Sequence, residues 1–160
     1  MKHKGFTLVE LLVVISIIGM LSSIAIVSMN AVRQKAKIAK VNADLLQISK
    51  QIEVARTNNN TTLMGVTGSN ASDWACRGLN VDGASPSSLC LPALALAFSR
   101  IGFSGLIYDP WGHPYMIDEN ELEGGLCAHD MIYSVGLDFV DSGGAGDDIS
   151  FPVPYFQCRN

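Results

Sequence analysis

Two groups of residues in this 160-residue chain have types and spacing that could do chemistry. The first is a single carboxylate, Glu10. From Phe6 to Val27 every other residue is apolar, small or hydroxyl-bearing. An acid at the centre of a membrane helix costs on the order of 2.5–3.5 kcal/mol, and such residues usually have a partner. Glu10 lies about one turn inside the run, where reaching toward the interface lowers that cost. A cut between Gly5 and Phe6 would supply a partner outright. It would create an amine at Phe6, with Glu10 as the fifth residue of the shortened chain. The amine of its own helix lies on the same face, and that of a neighbouring chain could also reach it. Such pairing would neutralise both charges in lipid and fix the axial stagger between subunits.

The second group is the acidic stretch YSVGLDFVDSGGAGDDISF, in which Asp138, Asp141, Asp147 and Asp148 crowd around Gly143, Gly144 and Gly146. Carboxylates this dense repel one another unless they are solvated or bridged by a cation. Calcium takes about six to eight oxygens, and a glycine-rich loop can turn its carbonyls inward. The EF-hand pattern is absent, and a plain solvated loop is the alternative. Cys127-Ala-His129-Asp130 offers a thiol near a base, but an oxidised cysteine is no nucleophile. With no phosphate-cradling or metalloprotease motif either, the chain reads as a non-enzyme.

The elements that must hold these residues are legible in outline. Phe6 to Val27 is 22 residues, roughly 33 Å as a helix at about 1.5 Å per residue, enough to cross a bilayer. Lys2 and Lys4 precede it, which places the leader in the cytoplasm. Beyond it, Ile38, Val41, Leu45, Ile48, Ile52 and Ala55 recur at alternating steps of three and four, a helical stripe expected to pack on its own globular domain. Arg33, Lys35, Lys37 and Lys40 lie just past the anchor, where lipid headgroups are their natural contact. Gly19 and Ser22-Ser23 are the weak helix formers of the apolar run. TNNNTTLMGVTGSNAS reads as loop, LPALALAFSRI as a short buried helix, and segments around Tyr115–Ile117 and Met131–Val135 as strands. The fold class is α+β: a long N-terminal helix, half transmembrane and half amphipathic, packed on a small antiparallel sheet with a C-terminal loop region.

Formal net charge is -4, and without Lys2 and Lys4 the remainder carries 9 basic against 15 acidic residues. That balance argues against direct nucleic-acid binding, which needs a basic face. The four cysteines, Cys76, Cys90, Cys127 and Cys158, form no CxxC pair. Downstream of a membrane segment they fit disulfides outside the cytoplasm. Three pairings are possible, and joining neighbours, Cys76 with Cys90 and Cys127 with Cys158, is preferred.

K-G-F-T-L-V-E-L-L-V-V-I resembles the class III signal of type IV pilins and type II secretion pseudopilins. The resemblance implies that a prepilin peptidase cuts after Gly5 and methylates the Phe6 amine, and that Glu10 then guides subunits into a helical filament. Many members have a proline where Val27 stands. Further along, YDPWGHPY is similar to the D-P-W-G-x-P-Y element of the major pseudopilin, where Asp109-Pro110 sets a turn, Trp111 offers a ring to bury and His113 fills the variable place. The acidic stretch resembles the pseudopilin calcium loop. Carried over by position, Asp138, Asp147 and Asp148 are ligands, with the Val135 carbonyl as a backbone ligand. The bridge is about two residues longer than the family pattern, and Asp141 has no counterpart in it. The tail FPVPYFQCRN resembles instead the disulfide-bounded end of type IVa pilins, with Cys158 stapled to Cys127.

The implied organisation is a leader at 1–5, a transmembrane helix at 6–29, an amphipathic spine at 30–57, a variable region at 58–107, and a small sheet with acidic loop and cysteine tail at 108–160. The implied role is a homopolymeric subunit, most closely that of the major pseudopilin of type II secretion. It would be inserted once in the inner membrane with its C-terminal domain outside the cytoplasm. Its partners would be the prepilin peptidase, the inner-membrane assembly platform, minor pseudopilins and membrane lipid. The rival readings are a type IV pilus subunit for adhesion, motility or DNA uptake, and an anchored binding module that never polymerises.

Overall fold

The computed structural model describes residues 5–68, 90–138, 140 and 142–158. The chain divides into two units, one ending at Lys37 and the other beginning at Ile38. Helix α1, Leu8–Asn59, contributes to both. Its backbone is helical through Gly19 and Ser22-Ser23 and continues past Arg56, where the periodic pattern ends. In the first unit its apolar side chains, from Leu8 to Met20 and Leu21, stand exposed. Among the described residues it is the one helix long and apolar enough to cross a membrane.

In the second unit the heptad stripe becomes core. Val41, Leu45, Ile48, Ile52 and Ala55 are buried, but Ile38, the first residue of the expected stripe, is 43% exposed. A hydrophobic period shows which face is apolar, not where the domain that covers it begins. After α1 come a one-turn helix α2, Leu63–Thr67, and α3, Cys90–Arg100. Pro92 falls in the first turn of α3, where a missing N–H breaks no helical bond. The sheet follows: β1, Met116–Asp118, β2, Met131–Ser134, and β3, Ile149–Pro152. It is antiparallel in the order β1-β2-β3, with Ile117 opposite Ile132 and Ile132 opposite Phe151. Pro152, which has no N–H to give a ladder, is the last residue of an edge strand. Leu94, Ala97 and Phe98 of α3 complete one core with the stripe and with Tyr115, Met116, Ile117, Ile132, Tyr133 and Val153.

YDPWGHPY forms a tight loop organised by Asp109. Its Oδ1 accepts the N–H groups of Trp111 and His113, each at 2.9 Å, and its Oδ2 accepts the Ser134 hydroxyl of β2 at 2.5 Å. Gly112 has φ +95°, which a side chain would resist. The Trp111 ring is half-buried against the core. The Tyr115 hydroxyl then ties the strand to the spine by donating to Asp44 Oδ2 at 2.8 Å.

The tail is fastened by a buried ion network. Arg56, fully buried, reaches Glu121 Oε2 at 3.4 Å and Asp130 Oδ2 at 3.5 Å, donates to the Pro154 carbonyl at 2.7 Å, and pairs with Glu53. Its guanidinium also lies 5.5 Å from the Phe156 ring centre. Glu121 in turn accepts the successive N–H groups of Phe156, Gln157 and Cys158. Cys127 and Cys158 are disulfide-linked, as the neighbour pairing expects. Cys90 is also in a disulfide; its expected partner, Cys76, lies outside the described residues. Removing one member of such a buried charge network leaves the others unpaired, so it is costly to break.

A further buried acid, Glu119, is met by a neutral donor. Glu119 accepts the Thr67 hydroxyl at 2.7 Å, and burial, with smaller contributions from Asp118 and Asp130, pushes its carboxyl up to about 7. The folded chain therefore holds a proton between about pH 4.5 and 7 that the unfolded chain releases. Stability contributed by the neutral form is lost as pH rises through that window. Glu119→Gln keeps the acceptor for Thr67 and removes the charge. In the detergent-solubilised chain it should flatten the decline in melting temperature between pH 5 and 7 and stabilise at pH 8, by on the order of 3 kcal/mol at most. Thermal unfolding across pH checks this, and a variant whose profile parallels the native one would refute it.

Candidate functional site

The N-terminal segment is built for access. Gly5 and Phe6 are exposed, Phe6 to 79%. A Cβ added at Gly5 would meet nothing within 4 Å, and its φ is not in the left-handed region. The fold therefore does not require glycine here. If position 5 has to be glycine, the demand comes from whatever reads the chain.

Glu10 is partnered within its own helix. Its Oε2 accepts the Thr7 backbone N–H at 2.8 Å and the Thr7 hydroxyl at 2.7 Å, while the Thr7 Oγ1 accepts the Glu10 N–H at 3.3 Å. Reciprocal bonds between residues three apart at a helix start are a capping box, which satisfies backbone donors that have no intrahelical acceptor. The carboxylate also lies at the positive end of the α1 dipole. Thr7 is thus a functional neighbour that the reading of Glu10 alone passed over, although T-x-x-E at 7–10 is its written signature. Both hydrogen bonds go to one oxygen, Oε2, and the net negative charge stays.

The acidic loop is folded by its own carboxylates. Asp147 Oδ2 accepts the N–H groups of Leu137 at 2.8 Å and Asp138 at 3.2 Å, and these bonds, that of Leu137 first, hold its carboxyl below the usual range. Asp138 Oδ1 accepts the Val140 N–H, and Asp148 Oδ2 accepts those of Ser142 and Gly144. The two limbs pinch together at Gly136, φ +70°, where a Cβ would lie 2.5 Å from the Asp147 carbonyl oxygen. Val135, buried, precedes that pinch. Asp141 lies outside the described residues. Carboxylates and carbonyls, without nitrogen or sulfur donors, are a set that suits a hard divalent cation. Among the described residues, no three acidic, histidine or cysteine side chains gather about one point. Cys127, being in a disulfide, cannot act as the nucleophile of a Cys-His pair.

Residues 1–26 match the family described as the prokaryotic N-terminal methylation motif. Over longer stretches the chain is similar to type II secretion system core protein G from several bacteria. It is 29% identical to that of Escherichia coli K12 over 120 residues, 72% of each chain. It is 28% identical to that of Aeromonas hydrophila over 152 residues, 92% of this chain and 91% of the other. For Klebsiella pneumoniae the figure is 27% over 151 residues, 92% and 93% of the two chains. No solved structure gives a significant match.

Gly5→Ala should therefore leave the fold unchanged yet block removal of the leader in cells that carry a prepilin peptidase. The intact mass of the membrane-bound chain checks it: the variant should keep residues 1–5 while the native chain loses them. Equal masses would contradict the role given to Gly5.

Proposed function

We propose that this member of the type IV pilin and pseudopilin family is the major subunit of a type II secretion pseudopilus. The chain is inserted in the inner membrane by the apolar half of α1. A prepilin peptidase cuts it after Gly5 and methylates the Phe6 amine, and copies polymerise with the second unit outside the cytoplasm, in the periplasm. The inner-membrane assembly platform and minor pseudopilins are its working partners, lipid its first solvent. Its task is structural, with no catalytic step. The observation that carries this reading is Glu10, the one charge between Phe6 and Val32 in the exposed apolar stretch of α1, close behind Gly-Phe-Thr.

The physics of assembly follows from what Thr7 can and cannot do for Glu10. In the single subunit Thr7 supplies two hydrogen-bond donors, which lets the carboxylate rest near the membrane surface. A cationic Phe6 amine on the adjacent subunit supplies what Thr7 lacks, an opposite charge. In a medium of low dielectric constant that attraction is strong, and it acts only at one axial offset between helices. Glu10→Ala should keep insertion and leader removal but lose filaments. Electron microscopy beside intact mass reads both, and normal filaments from the variant would overturn the assembly role.

For the acidic loop the reading is calcium, held by Asp138, Asp147 and Asp148 with the Val135 carbonyl, stiffening the segment between β2 and β3. It is supported by the all-oxygen donor chemistry and the glycine pinch at Gly136. Excess chelator should lower the melting temperature of the native chain, and added calcium should restore it. Asp147→Asn should lose that response. A native melting curve indifferent to both additions would remove calcium from this account.

A further inference from the structure

Within the second unit, the loop 121–127 (ELEGGLC) presents two leucines to solvent. Leu122 is 40% and Leu126 71% exposed, with exposed Glu123 between them. The loop is tight: Glu121 and Cys127 face each other as an isolated antiparallel bridge, and the Leu122 N–H donates to the Leu126 carbonyl at 2.9 Å. Its base is held twice, by Glu121 on the N–H groups of residues 156–158 and by the Cys127–Cys158 disulfide. Gly124 and Gly125 take their positive φ freely, but Leu122 at φ +66° does not. The left-handed region is disfavoured for a residue with a Cβ. Strain of this kind persists where the surroundings impose it, and it gathers at functional places. The result is a rigid apolar knob with a carboxylate on it.

The same unit carries a hollow of matching size. Asp44, Gln47 and Ile48 of α1 and Phe103 and Ile107 after α3 line an open groove of about 150 Å³. An apolar cavity of about that volume accepts benzene, so a leucine side chain fits. The exposed Lys40 stands at its lip, paired with Asp44 at 2.8 Å. Neither leucine of the knob lines the groove. Knob and groove are thus separate patches of one chain, both apolar, with Glu123 beside the one and the exposed end of the Lys40–Asp44 pair beside the other.

We infer that Leu126, with Leu122 beside it, docks in this groove on a second copy of the chain. A contact between two different patches is heterologous and continues from copy to copy as an open helical array, rather than closing as a pair. The inference rests on the filament reading and names the surface by which the folded units, as distinct from the membrane helices, meet. Burying a leucine in place of leaving it in water corresponds to about a tenfold to hundredfold change in an equilibrium.

The test uses full-length chains assembled in cells, with native disulfides intact. Leu126→Cys and Gln47→Cys copies, both at exposed positions, are co-expressed and treated with a short bismaleimide. A crosslinked dimer is expected from the mixture and from neither variant alone. Glu123→Lys added to the Leu126→Cys copy should lower its yield, and Leu126→Asp in otherwise native chains should reduce filament mass about tenfold or more without changing the melting temperature. Visible filaments with no mixed crosslink would overturn the inference and leave the filament reading standing. Leu126→Cys dimers formed without the Gln47→Cys copy would overturn it as well. Native chains that form no filaments would overturn both.

Discussion

Glu10 is the one charged residue between Phe6 and Val32, and its carboxylate is held by Thr7, three residues before it. Everything in the first unit is arranged around that constraint. The remaining side chains of the apolar run whose surroundings are described stand exposed along α1, which only lipid or other apolar helices would tolerate. Within this half the polar groups are used locally: Ser16 and Ser23 each donate to the carbonyl three residues back. Among the described residues, the contacts of the Glu10 carboxylate are with the neutral donors of Thr7, which do not cancel its charge. Under the proposed assembly, that charge, at a fixed height along its helix, would tell the next subunit where to sit.

The second unit obeys a different solvent. Its stability comes from an apolar core shared by α1, α3 and the sheet, and from buried charged groups tied to one another, Arg56 with Glu121 and Asp130. Arg56 is the hinge of that arrangement, because one guanidinium engages Glu53, Glu121, Asp130, the Pro154 carbonyl and the face of Phe156. The tail thereby becomes part of the domain rather than an appendage. His129 stacks on Tyr155 at 3.8 Å between ring centres and extends the same seam. A domain fastened in this way is ordered by its own contacts.

Much of this was legible from residue types and spacing. The stripe from Val41 to Ala55 could be read because helical burial repeats with helical period, and the turn at Asp109-Pro110 because aspartate and proline act on the backbone locally. The strand at Met131 was visible for the same local reason. Less legible was anything depending on distant partners. Arg56 looks like the polar end of an amphipathic helix until Glu121 and Asp130, 65 and 74 residues later, close over it. Nothing in the tail's composition says that Glu121 will hold its N–H groups. Strand β3 was hidden by its prolines and by its position at an edge. Thr7 was readable and overlooked: the capping box lay in plain view beneath the question of the charge.

The central claim is that the Glu10 carboxylate of one assembled subunit meets the Phe6 amine of another. The most direct measurement is solid-state nuclear magnetic resonance on filaments grown from a mixture, half the copies labelled with nitrogen-15 at the Phe6 amine and half with carbon-13 at the Glu10 carboxylate. Dipolar coupling between the two labels arises only across subunits, and the account predicts it at ion-pair range, about 4 Å or less. Well-ordered mixed filaments that show no such coupling would contradict it.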